Sequence, residues 1–213
     1  MPLRRAREAG TRRIVKLFGA VRHHGDPLDK LHRASIDAIR ASGLEWALVS
    51  PNSVMETSLL SQAHAIQGFN AMFACAGGGR VGLIAADDVA RAAAVVLTER
   101  DDDGANYELT GPEALSMTDM AAVLTRVLGR TITYNDMPED DFRRLLVDQG
   151  GIPPDEVDMK AILHLRAWRN GDADLVTDTY RALTGEAPLS LSEWVAAHRD
   201  AFEAPQVPAP AGT

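Results

Sequence analysis

The sequence holds little of what would name a class at once. It has one cysteine, Cys75, and only three tryptophans, three tyrosines and five phenylalanines in 213 residues. A single thiol excludes an internal disulfide framework and suits a reducing compartment, so Cys75 is expected to be a small core or loop residue. No window reaches the roughly 20 apolar residues of a membrane span. The arginines near the start are not followed by the apolar stretch of a signal peptide. These readings predict a cytoplasmic protein with no membrane partner. Basic charge is short as well: 22 Lys and Arg stand against 30 Asp and Glu, a net charge of −8. A nucleic-acid backbone, which needs a basic face, is therefore not expected as a partner. The one basic cluster, Arg4, Arg5, Arg7, Arg12 and Arg13, reads as the solvated side of a surface helix or as a local contact for an anion.

Metal-site spacing is missing too. His23, His24 and Asp26 are adjacent in an extended loop without a spaced further ligand, and "ERDDDGAN" lacks the glycine and closing glutamate of a calcium loop. No metal is expected. Nor does a glycine-rich turn join a first strand to a first helix, the arrangement that binds a dinucleotide pyrophosphate. The nearest candidate, "AGGGRVG" at 76–82, leads into a strand and reads as a flexible loop.

What is present is alternation. "EAGTRRIVKLFGA" at 8–20 has the tail of a helix closed by Gly10, then a buried strand at 13–19. The helical spacing in "KLHRASIDAIRASG" ends at Gly43, and "LEWALVSP" is a strand stopped by Pro51, which completes one strand-helix-strand crossover. Residues 53–74 predict helix plus loop. A strand at Val81 to Ile84 and a helix capped by Asp87 or Asp88 follow. "ANYELTG" is a strand; Ser116 with Asp119 forms a capping box, and Gly129 a stop. "TITYNDMP" reads as a strand, "EDDFRRLLVDQG" and "DEVDMKAILHLRAWRNGD" as helices, and "SLSEWVAAHRDAF" as a last helix with Ser190 and Glu193 as its capping box. The class is α/β with a helix-rich C-terminal portion. The tail at 204–213, rich in proline and small residues, is expected to be disordered.

"RRIVKLFGA", "LHRASIDAIRASGLEWALVSPNSVMET", "GRVGLIAADDVARAAAVVLTE" and "YELTGPEALSMTDMAAVLTRVLGR" occur in the order seen in the NmrA-like family, which the chain resembles from about residue 5 to 202. These are atypical short-chain dehydrogenase/reductases, among them NAD(P)H-dependent quinone or azo reductases and redox-sensing regulators. The resemblance implies a partial Rossmann-like parallel sheet over about 1–110, with a substrate-side helical lobe over about 111–203, in a single domain spanning 1–203. In that alignment the chain enters at the helix before the family's fifth strand. Roughly 70–80 residues, the usual size of two strand-helix pairs with their connections, have no counterpart, and the glycine motif is among them.

The resemblance also assigns a site. Better-known relatives use a Tyr-x-x-x-Lys pair; here the matching helix carries His32, as in many NmrA-like members, and Ile36 in place of their glutamate. His32 is the catalytic candidate, weighed against a surface-helix histidine. Phe18 and Gly19 at a strand's carboxyl edge, with Pro51 and Asn52, are the cofactor-binding candidates. Ser50 replaces the arginine of the family's Arg-Pro-Asn. Asn52 and Met55 are expected to line the substrate site. NADP or NAD is implied, or no cofactor in a truncated form, and the substrate would be a quinone-like or other carbonyl compound. The expected activity is an impaired reductase. The alternative is a cofactor-free regulatory or small-molecule-binding protein acting through a partner. A homodimer would cover a sheet edge left without its neighbour.

Overall fold

The computed structural model describes residues 2–203. The tail at 204–213, expected to be disordered, lies outside the described residues. Helix α1 (Pro2–Glu8) closes at Gly10, whose φ of +83° is open to glycine at no steric cost, and β1 (Arg13–Leu17) follows. Helix α2 (Pro27–Arg40) starts earlier than its apolar pattern suggests, because two local signals set it. Pro27 supplies a preformed φ in the first turn, and the Asp29 N–H donates to Asp26 Oδ1 at 2.9 Å. Strand β2 (Glu45–Pro51) then lies parallel to β1, with Ile14 opposite Trp46. Arg40 sits over the Trp46 ring at 5.6 Å, tying the end of α2 to β2.

The segment 53–74 corrects the expectation of helix plus loop. It contains β3 (Ser53–Val54), α3 (Met55–Leu60), α4 (Ala63–Phe69) and β4 (Ala71–Ala74). Strand β4, "AMFA", has no β-branched residue and directly follows helical spacing, so its sequence hid it. Asn70 makes the turn between them in the left-handed region, at φ +52°.

Next come β5 (Arg80–Ile84), α5 (Ala86–Thr98), β6 (Ala105–Leu109) and the short β7 (Ala114–Ser116). The cap expected from Asp87 or Asp88 is not formed: Ala85 is the N-cap residue of α5, without a side-chain hydrogen bond. Asp88 instead accepts from the Leu189 N–H at 2.8 Å, holding a distant segment against the helix start. Helix α6 (Met117–Leu128) has the expected capping box from Ser116 and Asp119 and ends at Gly129. Strand β8 (Thr133–Asp136), α7 (Glu139–Asp148), a π-helical turn (Asp158–Ile162), α8 (Leu163–Arg169), α9 (Thr179–Thr184) and α10 (Leu191–Ala197) complete the order, α10 with its Ser190–Glu193 box.

Two packed regions result. Strands β1, β2 and β6 form a parallel sheet in that order. One of its faces, Ala47, Val49 and Leu109, packs with Val89, Ala92 and Val96 of α5 and with Tyr180 of α9. The larger core gathers Met55, Leu59, Met72, Leu124, Trp168, Trp194 and Phe202. Strand β4 pairs in parallel with β8, so residues 71–74 pack with a segment that follows them by about 60 positions. Glu56 clamps this region: its carboxylate accepts from Trp194 Nε1 at 2.8 Å and from the Ala86 N–H at 2.9 Å.

The "AGGGRVG" loop is packed, where the sequence suggested flexibility. A Cβ on Gly79 would stand 2.1 Å from the Trp168 carbonyl oxygen, so only glycine lets this loop lie on the end of α8.

Candidate functional site

The carboxyl ends of β1, β2 and β6 are laced together. The Phe18 N–H donates to Val49 O at 2.9 Å, Ala20 N–H to Pro51 O at 3.0 Å, and Asn52 N–H to Leu109 O at 2.9 Å. In an open α/β sheet this is the edge at which ligands bind. Two hollows open here and share Gly19.

The smaller hollow, about 260 Å³, is lined by Phe18, Gly19, His23, His32, Arg33 and Glu108 among others. His32 projects from α2 to the Phe18 ring, 4.6 Å between centroids, and its Cε1 lies 3.6 Å from where a Cβ on Gly19 would stand. The structure therefore brings Phe18, Gly19 and His32 together. Burial, followed by the nearby His23 and Lys16, lowers the His32 pKa, while Asp26 and Asp29 oppose the shift. At neutral pH the ring is uncharged, a form with one N–H donor and one acceptor nitrogen. Ile36, one turn further along α2, is half-buried and brings no charge to the ring.

Behind His32 stands His23, whose sequence context marks it only as a residue of a polar loop. It is buried, and its Nδ1 lies 3.0 Å from Asp26 Oδ2, the other oxygen of the α2 cap. The rings of His32 and His164 meet His23 edge-on, at 6.2 and 5.1 Å. His24 points away and pairs with Asp172 at 2.8 Å.

The larger hollow is a cavity of about 950 Å³. Gly19, Pro51 and Asn52 form its rim on the sheet side. Its walls come from β4, α6, α7 and α8, with Phe73, Met117, Met120, Phe142, His164 and Trp168 among the lining residues. Only the tertiary fold turns part of this apolar surface toward a void. The Asn52 side chain lines the cavity, but its Nδ2 donates to Ala173 O at 2.7 Å, so the amide pins the 171–175 loop to the end of β2. Met55 stands apart from these residues. It is 1% exposed, sits in the main core and does not line the cavity, because α3 starts at this residue and directs it inward.

No family model matches the chain. Individual relatives do. A (4-alkanoyl-5-oxo-2,5-dihydrofuran-3-yl)methyl phosphate reductase of Streptomyces griseus is 31% identical over 200 residues, covering 92% of this chain and 70% of the relative. The crystal structure of an NADPH-dependent quinone oxidoreductase from Escherichia coli superposes with a TM-score of 0.81 at 27% identity, covering 92% of this chain and 71% of that one. The triphenylmethane reductase of a Citrobacter species shares the fold, with a TM-score of 0.78 at 24% identity over 94% of this chain and 68% of that one. With the parallel sheet, its carboxyl-edge hollows and these relatives together, the chain belongs to the NmrA-like NAD(P)-dependent reductases.

Proposed function

We propose that the described residues form the nicotinamide-side and substrate-side walls of a reductase cleft that takes a small apolar acceptor of quinone-like or other carbonyl type. One observation carries the reading: the 950 Å³ cavity and the His32 hollow meet at Gly19, on the carboxyl edge of the parallel sheet. The Phe18 ring, the bare Gly19 backbone and the edge of His32 offer a flat apolar shelf beside a hydrogen-bonding group, which suits a nicotinamide. A bound NADPH or NADH would supply hydride there. The contribution of this chain is to exclude water with the apolar wall and to offer the neutral His32 ring N–H to the acceptor oxygen.

The phosphate end of a dinucleotide is less well served. Among the described residues no strand passes through a glycine-rich turn into a helix N-terminus, and Gly79 is committed to close packing on Trp168. Weak cofactor binding by this chain and slow reduction follow. Among the described residues β1 has a strand neighbour on one side only, and pairing of two copies along that edge would cover it.

Calorimetric titration of the folded chain with NADPH and NADH tests the reading. The expected result is saturable binding with Kd above about 100 μM, weaker than roughly −5.5 kcal/mol. Tighter binding would mean that a complete dinucleotide site forms. Absence of binding at millimolar cofactor, with ligands still entering the large cavity, would favour the second reading. That reading is a cofactor-free small-molecule-binding protein, and the absence of charge at Ile36 and the committed Asn52 amide speak for it.

A further inference from the structure

The large cavity is apolar but has polar side chains in its wall, and nearly all of them are committed to the protein. Asn52 donates to Ala173 O, Ser53 and Ser58 bond each other, and Thr57 and Ser61 each donate to a backbone carbonyl one turn back. The Gln62 amide is used twice, donating to Phe73 O and accepting from the Phe73 N–H, both at 3.0 Å. Lys160 is paired with Glu156. His64 and Gln149 are exposed at the mouth. This leaves His164.

His164 is half-buried in the cavity wall, and its closest aromatic neighbour is the edge-on His23 ring at 5.1 Å. Among the described residues neither of its ring nitrogens makes a hydrogen bond. It follows directly on the π-helical turn Asp158–Ile162 and Leu163, and Lys160, Ala161, Leu165 and Trp168 from the same stretch line the cavity with it. A π turn inserts an extra residue into a helix and is found often at functional sites, where it re-aims the side chains that follow. Burial, reinforced by the neighbouring His23 and His32, pushes the His164 pKa down to about 4, against a weaker opposing effect of Asp26. The ring is therefore neutral at working pH, with one N–H to donate and one nitrogen to accept.

Resting on the cavity being the substrate site, we infer that His164 is a specificity-determining residue, whose ring N–H hydrogen-bonds an acceptor oxygen of an otherwise apolar, ring-bearing ligand. An uncommitted donor in an apolar wall favours a ligand that can pair with it over a shape-matched hydrocarbon, because the hydrocarbon would leave the donor desolvated and unpaired.

The test compares 2-acetonaphthone with 2-ethylnaphthalene, which share a ring system and differ in the carbonyl, by ligand-observed NMR titration of the full chain without cofactor. The wild type should bind the ketone roughly threefold to tenfold more tightly, the worth of one net hydrogen bond. His164→Leu should bind both probes equally, the hydrocarbon at least as tightly as the wild type does, and His164→Gln should keep part of the preference. In the wild type, which needs no variant to fold, the His164 side-chain ¹⁵N signals should shift on adding the ketone and stay in place with the hydrocarbon. Unchanged preference in His164→Leu, or His164 signals indifferent to the ketone, overturns the assignment while leaving the cavity a binding site. Failure of both probes to bind overturns the cavity reading and the assignment with it.

Discussion

The two regions that meet at the cleft are built differently. In the β1–β2–β6 sheet the buried side chains on the packed face are small or medium, Ala47, Val49 and Leu109, and no residue of β1 is fully buried. Leu17 is 57% exposed and Leu31 on α2 is 56% exposed. In the lobe around α6 and α10 the core is made of Trp194, Phe202, Met55, Leu124 and Met120, all at 1% exposure or less. Apolar burial sets most of the stability of each part. The wall of the large cavity should accordingly be rigid, and the shelf of Phe18, Gly19 and His32 should be the softer side where the two hollows meet.

The largest expected effect probes the lobe. Trp194→Ala removes a fully buried indole and leaves Glu56 without one of its donors, and should cost about 3–5 kcal/mol in denaturant unfolding. A loss below about 1 kcal/mol would break the contrast between the regions. Glu56→Ala is next, at about 2 kcal/mol, because the Trp194 and Ala86 N–H groups would both lose their acceptor.

A third effect depends on pH and belongs to the cavity wall. The folded-state pKa of His164, about 4, lies below its ordinary 6.5, so the unfolded chain binds more protons between those values. Stability present at neutral pH is then lost as pH falls through that window, by about 2 kcal/mol once the partial exposure of the ring is allowed for. His164→Leu should flatten this part of the profile, read from urea midpoints at pH 7 and pH 4.5. The smallest effect comes from the sheet edge, where Leu17→Ala should change stability by no more than about 0.5 kcal/mol. Hydrogen exchange sharpens the comparison without any substitution: amides of β1 should exchange before those of β5 and α6.

Legibility in the sequence followed the locality of each signal. Gly10, the boxes Ser116–Asp119 and Ser190–Glu193, and the strand ending at Pro51 all stand where the pattern put them, since a cap or a turn is decided by residues three or four apart. Strands β4 and β7 escaped because their short runs carry no periodicity of their own and are strands only by virtue of distant partners, β8 and β5. Phe18, Gly19 and His32 could be grouped from the resemblance. The inward direction of Met55 has no local signal, because its position just past the end of β2 says nothing about which way α3 turns it. His164 gave one faint signal, a histidine within the apolar run "KAILHLRAW".

By itself the sequence determined the alternating α/β class, the exclusion of an internal disulfide by a single cysteine, and most helix starts and stops, because these rest on composition and on contacts between near neighbours. The tertiary structure alone decided that the glycine loop serves packing on Trp168, that Asn52 bonds Ala173, and that His164 faces a cavity with its nitrogens uncommitted among the described residues. Those outcomes depend on residues about 90 to 120 positions apart in the first two cases, and in the third on a void enclosed by several elements, none of which any local pattern encodes.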